Sequence, residues 1–158
     1  MKLIQVLLLC AATLTAAPAL AQEKTADTNM QILLEKVKAD KKLVVAANMD
    51  LTEAEGKAFW LIYDAYQKEL QIINERMAKT ILAYADAYNK TALTDVQAKQ
   101  LVDEALAIDQ DEITLRRTYA ARLARVLPGK KVARYLQIEN KIRAAIRYDL
   151  AAGIPLVQ

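Results

Sequence analysis

Between Ile113 and Ile138 lie seven basic side chains, Arg116, Arg117, Arg122, Arg125, Lys130, Lys131 and Arg134, and no acidic one. Such a cluster can draw in acidic polypeptide clients or a lipid headgroup surface by long-range steering. The residues just before it carry the opposite sign: Asp103, Glu104, Asp109, Asp111 and Glu112 share a ten-residue window without Lys or Arg. Carboxylates at that density suit a hard cation, but the window lacks the glycine and alternating oxygen ligands of an EF-hand loop. On a helix its members would fan around the axis, so a solvated acidic face is the simpler expectation and no metal is assigned. Acids early and bases late in one helix also complement its dipole. Nucleic acid is attracted by Arg/Lys clusters too, yet no base-reading motif accompanies this one.

Other chemistries are excluded by residue type. The chain has no His and one Cys, so His-based triads, proton relays and His metal sites are absent. Catalytic carboxylates would still need a pocket that perturbs them, and long helices with few loops offer few such places. Neither an enzyme nor a cofactor is expected. The seven Tyr, with Phe59 and Trp60, should mostly be core with hydroxyls at the rim. A thin helical core would leave part of this set facing a groove, and a surface of Tyr, Met and Leu edged by Arg suits adaptable binding. Tyr63, Tyr66 and Met77 join the seven basic residues as the candidate client-binding set, with Met49 as a further contributor.

These residues must be positioned by helices. Only three Gly and three Pro occur in 158 residues, too few for the turn every ~8–12 residues that a β-sandwich or barrel demands. Leu51-Thr52-Glu53-Ala54-Glu55 and Leu93-Thr94-Asp95-Val96-Gln97 are both capping boxes: the Thr hydroxyl accepts from the backbone three residues on, and the Glu or Gln side chain reaches back. After the first, Phe59, Ile62, Tyr66, Leu70, Ile73, Met77, Ile81, Tyr84 and Tyr88 recur at steps of 3 or 4, which predicts one helix from Glu53 to Asn89, roughly 55 Å long. After the second, Leu101, Ala105, Ile108, Leu115, Tyr119, Leu123 and Val126 predict a third helix, stopped at Leu127-Pro128-Gly129. A fourth is predicted from about Lys130 to Ala152, with Val132, Tyr135, Leu136, Ile142, Ile146 and Leu150 inward and Gly153 as its cap. An earlier helix is expected over 29–40, carrying Met30, Leu33, Leu34 and Val37, while 43–48 could extend or break it. The expectation is an all-α chain of four helices with a long antiparallel hairpin. The apolar Ile154-Pro155-Leu156-Val157 tail is expected to pack on its own helices in preference to crossing a dimer seam.

Residues 1–21 read as a cleavable export signal: Lys2, an apolar run from Leu3 to Ala12, then Pro18 and Ala19-Leu20-Ala21. That run is half the ~20 residues a membrane-spanning helix needs, and bulky Leu9 before Cys10 disfavours lipid attachment. Cleavage would remove the only Cys and place the rest in a bacterial periplasm, with 22–28 a mobile segment and 29–158 a single helical domain. Sixteen of the 21 residues it would remove are hydrophobic, so the processed chain would be leaner than the 54% headline figure and its core thin for helices of this length. That shortage is a physical argument for a dimer or a binding face.

The paired boxes, each opening a long helix in an exported all-α chain, resemble the LTxxQ-motif family of periplasmic proteins, the Spy/CpxP-like chaperones and envelope-stress factors. Leu93-Thr94-x-x-Gln97 matches the motif, and Leu51-Thr52-x-x-Glu55 differs at its last position while keeping the capping chemistry. The resemblance implies a thin, curved homodimer whose concave face holds unfolded or partly folded envelope proteins without ATP. Some relatives bind zinc through His and Cys, which the processed chain would lack. Alternatives are a regulatory or structural adaptor for one envelope partner, and peripheral contact with anionic membrane, which the first reading allows but does not require.

Overall fold

A computed structural model describes residues 40–90 and 93–157. The chain divides into two compact units, Met1–Asp40 and Lys41–Gln158, and the second carries everything below apart from Asp40. The predicted export signal, the 22–28 segment and the 29–39 part of the first predicted helix lie outside the described residues.

The described residues form four helices and no strand: α1 over 40–49, α2 Glu53–Asn89, α3 Asp95–Leu123 and α4 Gly129–Gly153. The 43–48 stretch is therefore helical. The α1–α2 connection turns at Asp50, whose φ of 48° is the left-handed conformation that Asp tolerates better than most residues. Both capping boxes form: Thr52 Oγ1 accepts from Glu55 N at 3.3 Å while Glu55 Oε2 accepts from Thr52 N at 2.8 Å. At the second box the corresponding bonds are 3.3 and 3.0 Å, with Gln97 accepting.

The third helix ends earlier than its periodicity predicts, at Leu123. Three residues of tight turn follow, with Arg125 N donating to the Arg122 carbonyl and Val126 N to that of Leu123. α4 has no side-chain cap. Pro128, lacking an N–H, occupies the cap position, and its carbonyl accepts from Lys131 N and Val132 N. Gly153 is the last residue of α4 with negative φ, not a left-handed cap after it.

Residue order reverses between α2 and α3: Tyr66 and Glu69 meet Tyr119, while Arg76 meets Glu104 and Asp111. It is preserved between α2 and α4, where Gln67 meets Tyr135 and Glu139, and Tyr84 meets Pro155.

The core occupies only part of the helices' length. It joins Val45 and Met49 of α1, Phe59, Tyr63, Tyr66, Leu70 and Ile73 of α2, Ile108, Leu115, Tyr119 and Leu123 of α3, Leu127, and Val132 and Tyr135 of α4. Past Ile73, α2 buries no residue; Ile81, Tyr84 and Tyr88 are half-buried. α4 buries none past Glu139, and Ile146 and Leu150, expected inward, are 48% and 41% exposed. Steps of 3 and 4 continue in the sequence past the point where full burial stops. The 154–157 tail touches its own chain through the Tyr84 hydroxyl, which donates to the Pro155 carbonyl at 2.9 Å, while Leu156 and Val157 are exposed.

Candidate functional site: the basic face of α3 and α4

The seven basic residues occupy the C-terminal half of α3, the following turn and the first turns of α4. Two are already engaged. Lys131 Nζ donates to the Asp50 carbonyl at 2.7 Å and pairs with Glu55 at 2.6 Å, and the Arg122 guanidinium lies 4.5 Å from the Tyr119 ring centroid. The other five, Arg116, Arg117, Arg125, Lys130 and Arg134, make no ion pair among the described residues, and all but half-buried Arg116 are exposed.

The acidic window has the opposite fate. Asp103 pairs with Lys99 at 2.6 Å, Glu104 and Asp111 with Arg76 at 3.0 and 2.6 Å, and Asp109 with Arg147. Glu112 is buried, facing Arg143 and lying 3.3 Å from Arg147. The window is thus not one solvated face. Three of its members reach across to cations on other helices and one enters the interior, so little negative charge is left to offset the basic pole.

A shallow valley of about 220 Å³ opens on this face, lined by Ile113, Arg116, Arg117, Ala120 and Leu136. Its lining is apolar, with Arg116 and Arg117 contributing their aliphatic stems. A second open groove, about 500 Å³, lies where α1 meets the start of α2, with Leu51, Gly56, Trp60 and Leu61 among its lining. Lys42 sits 5.2 Å from the Trp60 ring centroid at its edge and pairs with Asp64.

Three expected surface residues are interior. Tyr63 and Tyr66 are 3% and 2% exposed, and Met49 is fully buried. Tyr63 packs edge-on to Trp60 and Tyr135, and Tyr66 lies against Tyr119 and Tyr135. Burial pushes both phenols up, Tyr66 to about 12, with the Glu139 carboxylate adding to the effect. They shape the helix bundle from within and cannot touch a ligand at its surface. Met77 is half-buried against the core edge.

Sequence reasoning missed Glu139 altogether and placed Glu112 on a solvated face, whereas both are buried. Glu139, 5% exposed, accepts from Gln67 Nε2 at 3.0 Å and pairs with Lys41 at 2.8 Å, tying α1, α2 and α4 together. Glu112 performs the same service between α3 and α4. The signal was present: Ile108-Glu112-Leu115-Tyr119 and Val132-Tyr135-Glu139-Ile142 each place an acid in step with the apolar stripe. Ile113 and Ala120, one heptad apart off that stripe, carried the signal for the valley.

No described helix is long and apolar enough to cross a membrane. No family model matches the chain, and neither a curated protein nor a solved structure matches it.

Proposed function

We propose that the protein is an ATP-independent periplasmic chaperone or envelope-stress protein, related to the LTxxQ-motif proteins, that holds unfolded or partly folded clients on an apolar, basic-edged helical surface. The observation that carries this reading is the mismatch between helix length and core length. Burial ends at Ile73 on α2, begins at Ile108 on α3 and ends at Glu139 on α4. Among the described residues fourteen large apolar side chains, including Leu61, Ile72, Leu82, Val102, Leu106 and Ile113, are exposed. Val102, Leu106 and Ile113, at spacings of 4 and 7, fall on one face of α3, and such an exposed apolar stripe supports a surface that meets other molecules. Part of it would be covered by a second copy in a homodimer, and the rest left for clients. Chaperone activity needs no catalytic group and no cofactor.

The test is aggregation of a chemically denatured client, followed by light scattering with the protein at near-stoichiometric ratio. Slowed aggregation supports the reading; no suppression at any salt concentration ends it. Light scattering of the protein alone at micromolar concentration tests the dimer. The second reading, an adaptor for one envelope partner, is favoured by the gathering of five of the unpaired cations at one pole. In-cell crosslinking would then return one dominant partner in place of many.

A further inference from the structure

We infer that the α3–α4 valley selects acidic polypeptide segments that carry a large apolar side chain, the side chain seated on Ile113, Ala120 and Leu136 and the flanking carboxylates on Arg116 and Arg117. This rests on the client-binding reading above and names the class of client.

Three observations lead there. The valley, at about 220 Å³, is smaller than the ~300–1,000 Å³ of small-molecule pockets, and suits one side chain of a longer ligand. Its two arginines make no ion pair, and Arg125, Lys130 and Arg134 continue the uncompensated charge around the turn into α4. Cations strung along helix, turn and helix match a chain of carboxylates better than one compact anion.

Burial then separates this ligand from other polyanions. Sequence-tolerant binding of single-stranded nucleic acid uses aromatic side chains as stacking platforms. The aromatics of this region, Tyr119 and Tyr135, are each 1% exposed. A membrane-surface helix inserts large apolar residues beside its cations, but here Leu115, Tyr119, Leu123, Leu127, Val132 and Tyr135 all face inward. Of the large apolar residues from 113 to 135, only Ile113, in the valley, is markedly exposed.

The experiment is fluorescence anisotropy with three labelled twelve-residue peptides: a Glu-rich one with a central Leu, the same with Leu replaced by Ser, and the same with Glu replaced by Lys. The first should bind at least tenfold more tightly than either other and weaken as salt rises. Arg116→Glu/Arg117→Glu should abolish the preference. Arg125→Glu/Arg134→Glu should weaken the acidic peptide several-fold without removing the Leu-over-Ser difference. Circular dichroism melts establish that each variant is folded, and the second pair is a test independent of the first. Equal binding of the Lys peptide, indifference to Arg116→Glu/Arg117→Glu, tighter binding of oligo-dT, or sedimentation with anionic vesicles without peptide binding would each overturn the inference. Suppressed client aggregation without peptide preference would sink the inference and leave the chaperone reading standing. The predicted preference without any client holding would keep the inference and remove that reading.

Discussion

Lys41 Nζ lies 2.8 Å from Glu139 Oε2, and the same ammonium donates to Gln67 Oε1 at 2.8 Å while Gln67 donates to the other Glu139 oxygen. This closed set joins three helices around a carboxylate whose side chain is 6% exposed, against 15% for the lysine. The asymmetry sets the prediction. Lys41→Met leaves a buried carboxylate without its cation and should cost about 3–5 kcal/mol. Glu139→Gln leaves a lysine with a short path to water and should cost about 1.5–3 kcal/mol, the worth of hydrogen bonds to a charged group. Urea unfolding of both variants checks the order, and equal losses would contradict it.

Glu112 faces Arg143 and Arg147 of α4 in the stretch where α4 no longer buries any residue. Burial and the neighbouring Arg147 charge both pull Arg143 below the ordinary arginine value. Glu112→Gln would leave two adjacent guanidiniums with only Asp109 between them, and since both reach water more readily than Lys41 does it should destabilise by about 1.5–3 kcal/mol. The loosening should be local. Amide exchange is expected to quicken over 140–153 while the α2 residues 59–73 stay protected until global unfolding.

Tyr66 supplies a pH dependence. Its pKa is pushed up to about 12 by burial, while in the unfolded chain it is ~10. The folded state therefore keeps a proton that the unfolded state gives up. The stability so provided is fully present below pH ~10 and is lost as pH rises towards 12, amounting to about 2–3 kcal/mol for this phenol. Tyr66→Phe should flatten the fall in urea midpoint between pH 9 and pH 11.5 relative to the parent protein.

The helices were legible because their signals are local. A capping box needs only four consecutive residues, and the run from Phe59 to Tyr88 names one face wherever the chain lies. The C-terminal reach of burial was not legible, since Tyr84, Ile146 and Leu150 hold the same phase as Tyr66 and Tyr135. Whether a phase is buried depends on what stands opposite, which is a tertiary matter. The placement of the candidate site residues was legible only in part for the same reason. Charge count located the basic pole, but which cations are free depends on partners such as Glu55, which takes Lys131 from 76 positions away. Tyr63 and Tyr66 look like candidate surface aromatics in one dimension and are core in three.

Glu55 and Gln97 hold equivalent places in the two boxes and should respond differently to Ala. Gln97→Ala loses one side-chain acceptor at Thr94, whereas Glu55→Ala also releases Lys131, and with it a tie between α2 and α4. The hydrogen bond from Lys131, then that from the Thr52 backbone, holds the Glu55 carboxyl below its ordinary value of 4.5. Its contribution is therefore present above that value and is lost as pH falls through the lowered one. The larger drop in melting temperature for Glu55→Ala at pH 7 should shrink to that of Gln97→Ala at strongly acidic pH. Thr52→Ala and Thr94→Ala, which remove the caps themselves, should each cost about 1 kcal/mol.

Gly56 lies in the first turns of α2, where glycine is the poorest ordinary helix former, about 1 kcal/mol worse than alanine. Its backbone is not in the left-handed region, so no conformational demand requires glycine. A Cβ placed there would meet Trp60 Nε1 at 3.9 Å and Cδ1 at 4.0 Å, ordinary van der Waals contact. Gly56→Ala should therefore stabilise the protein by about 0.5–1 kcal/mol. The added methyl also narrows the groove beside Trp60, so the variant separates the two open surfaces. If clients are held on the α3–α4 face, Gly56→Ala should melt higher and suppress aggregation unchanged. Reduced suppression from this more stable protein would move the binding site to the Trp60 groove.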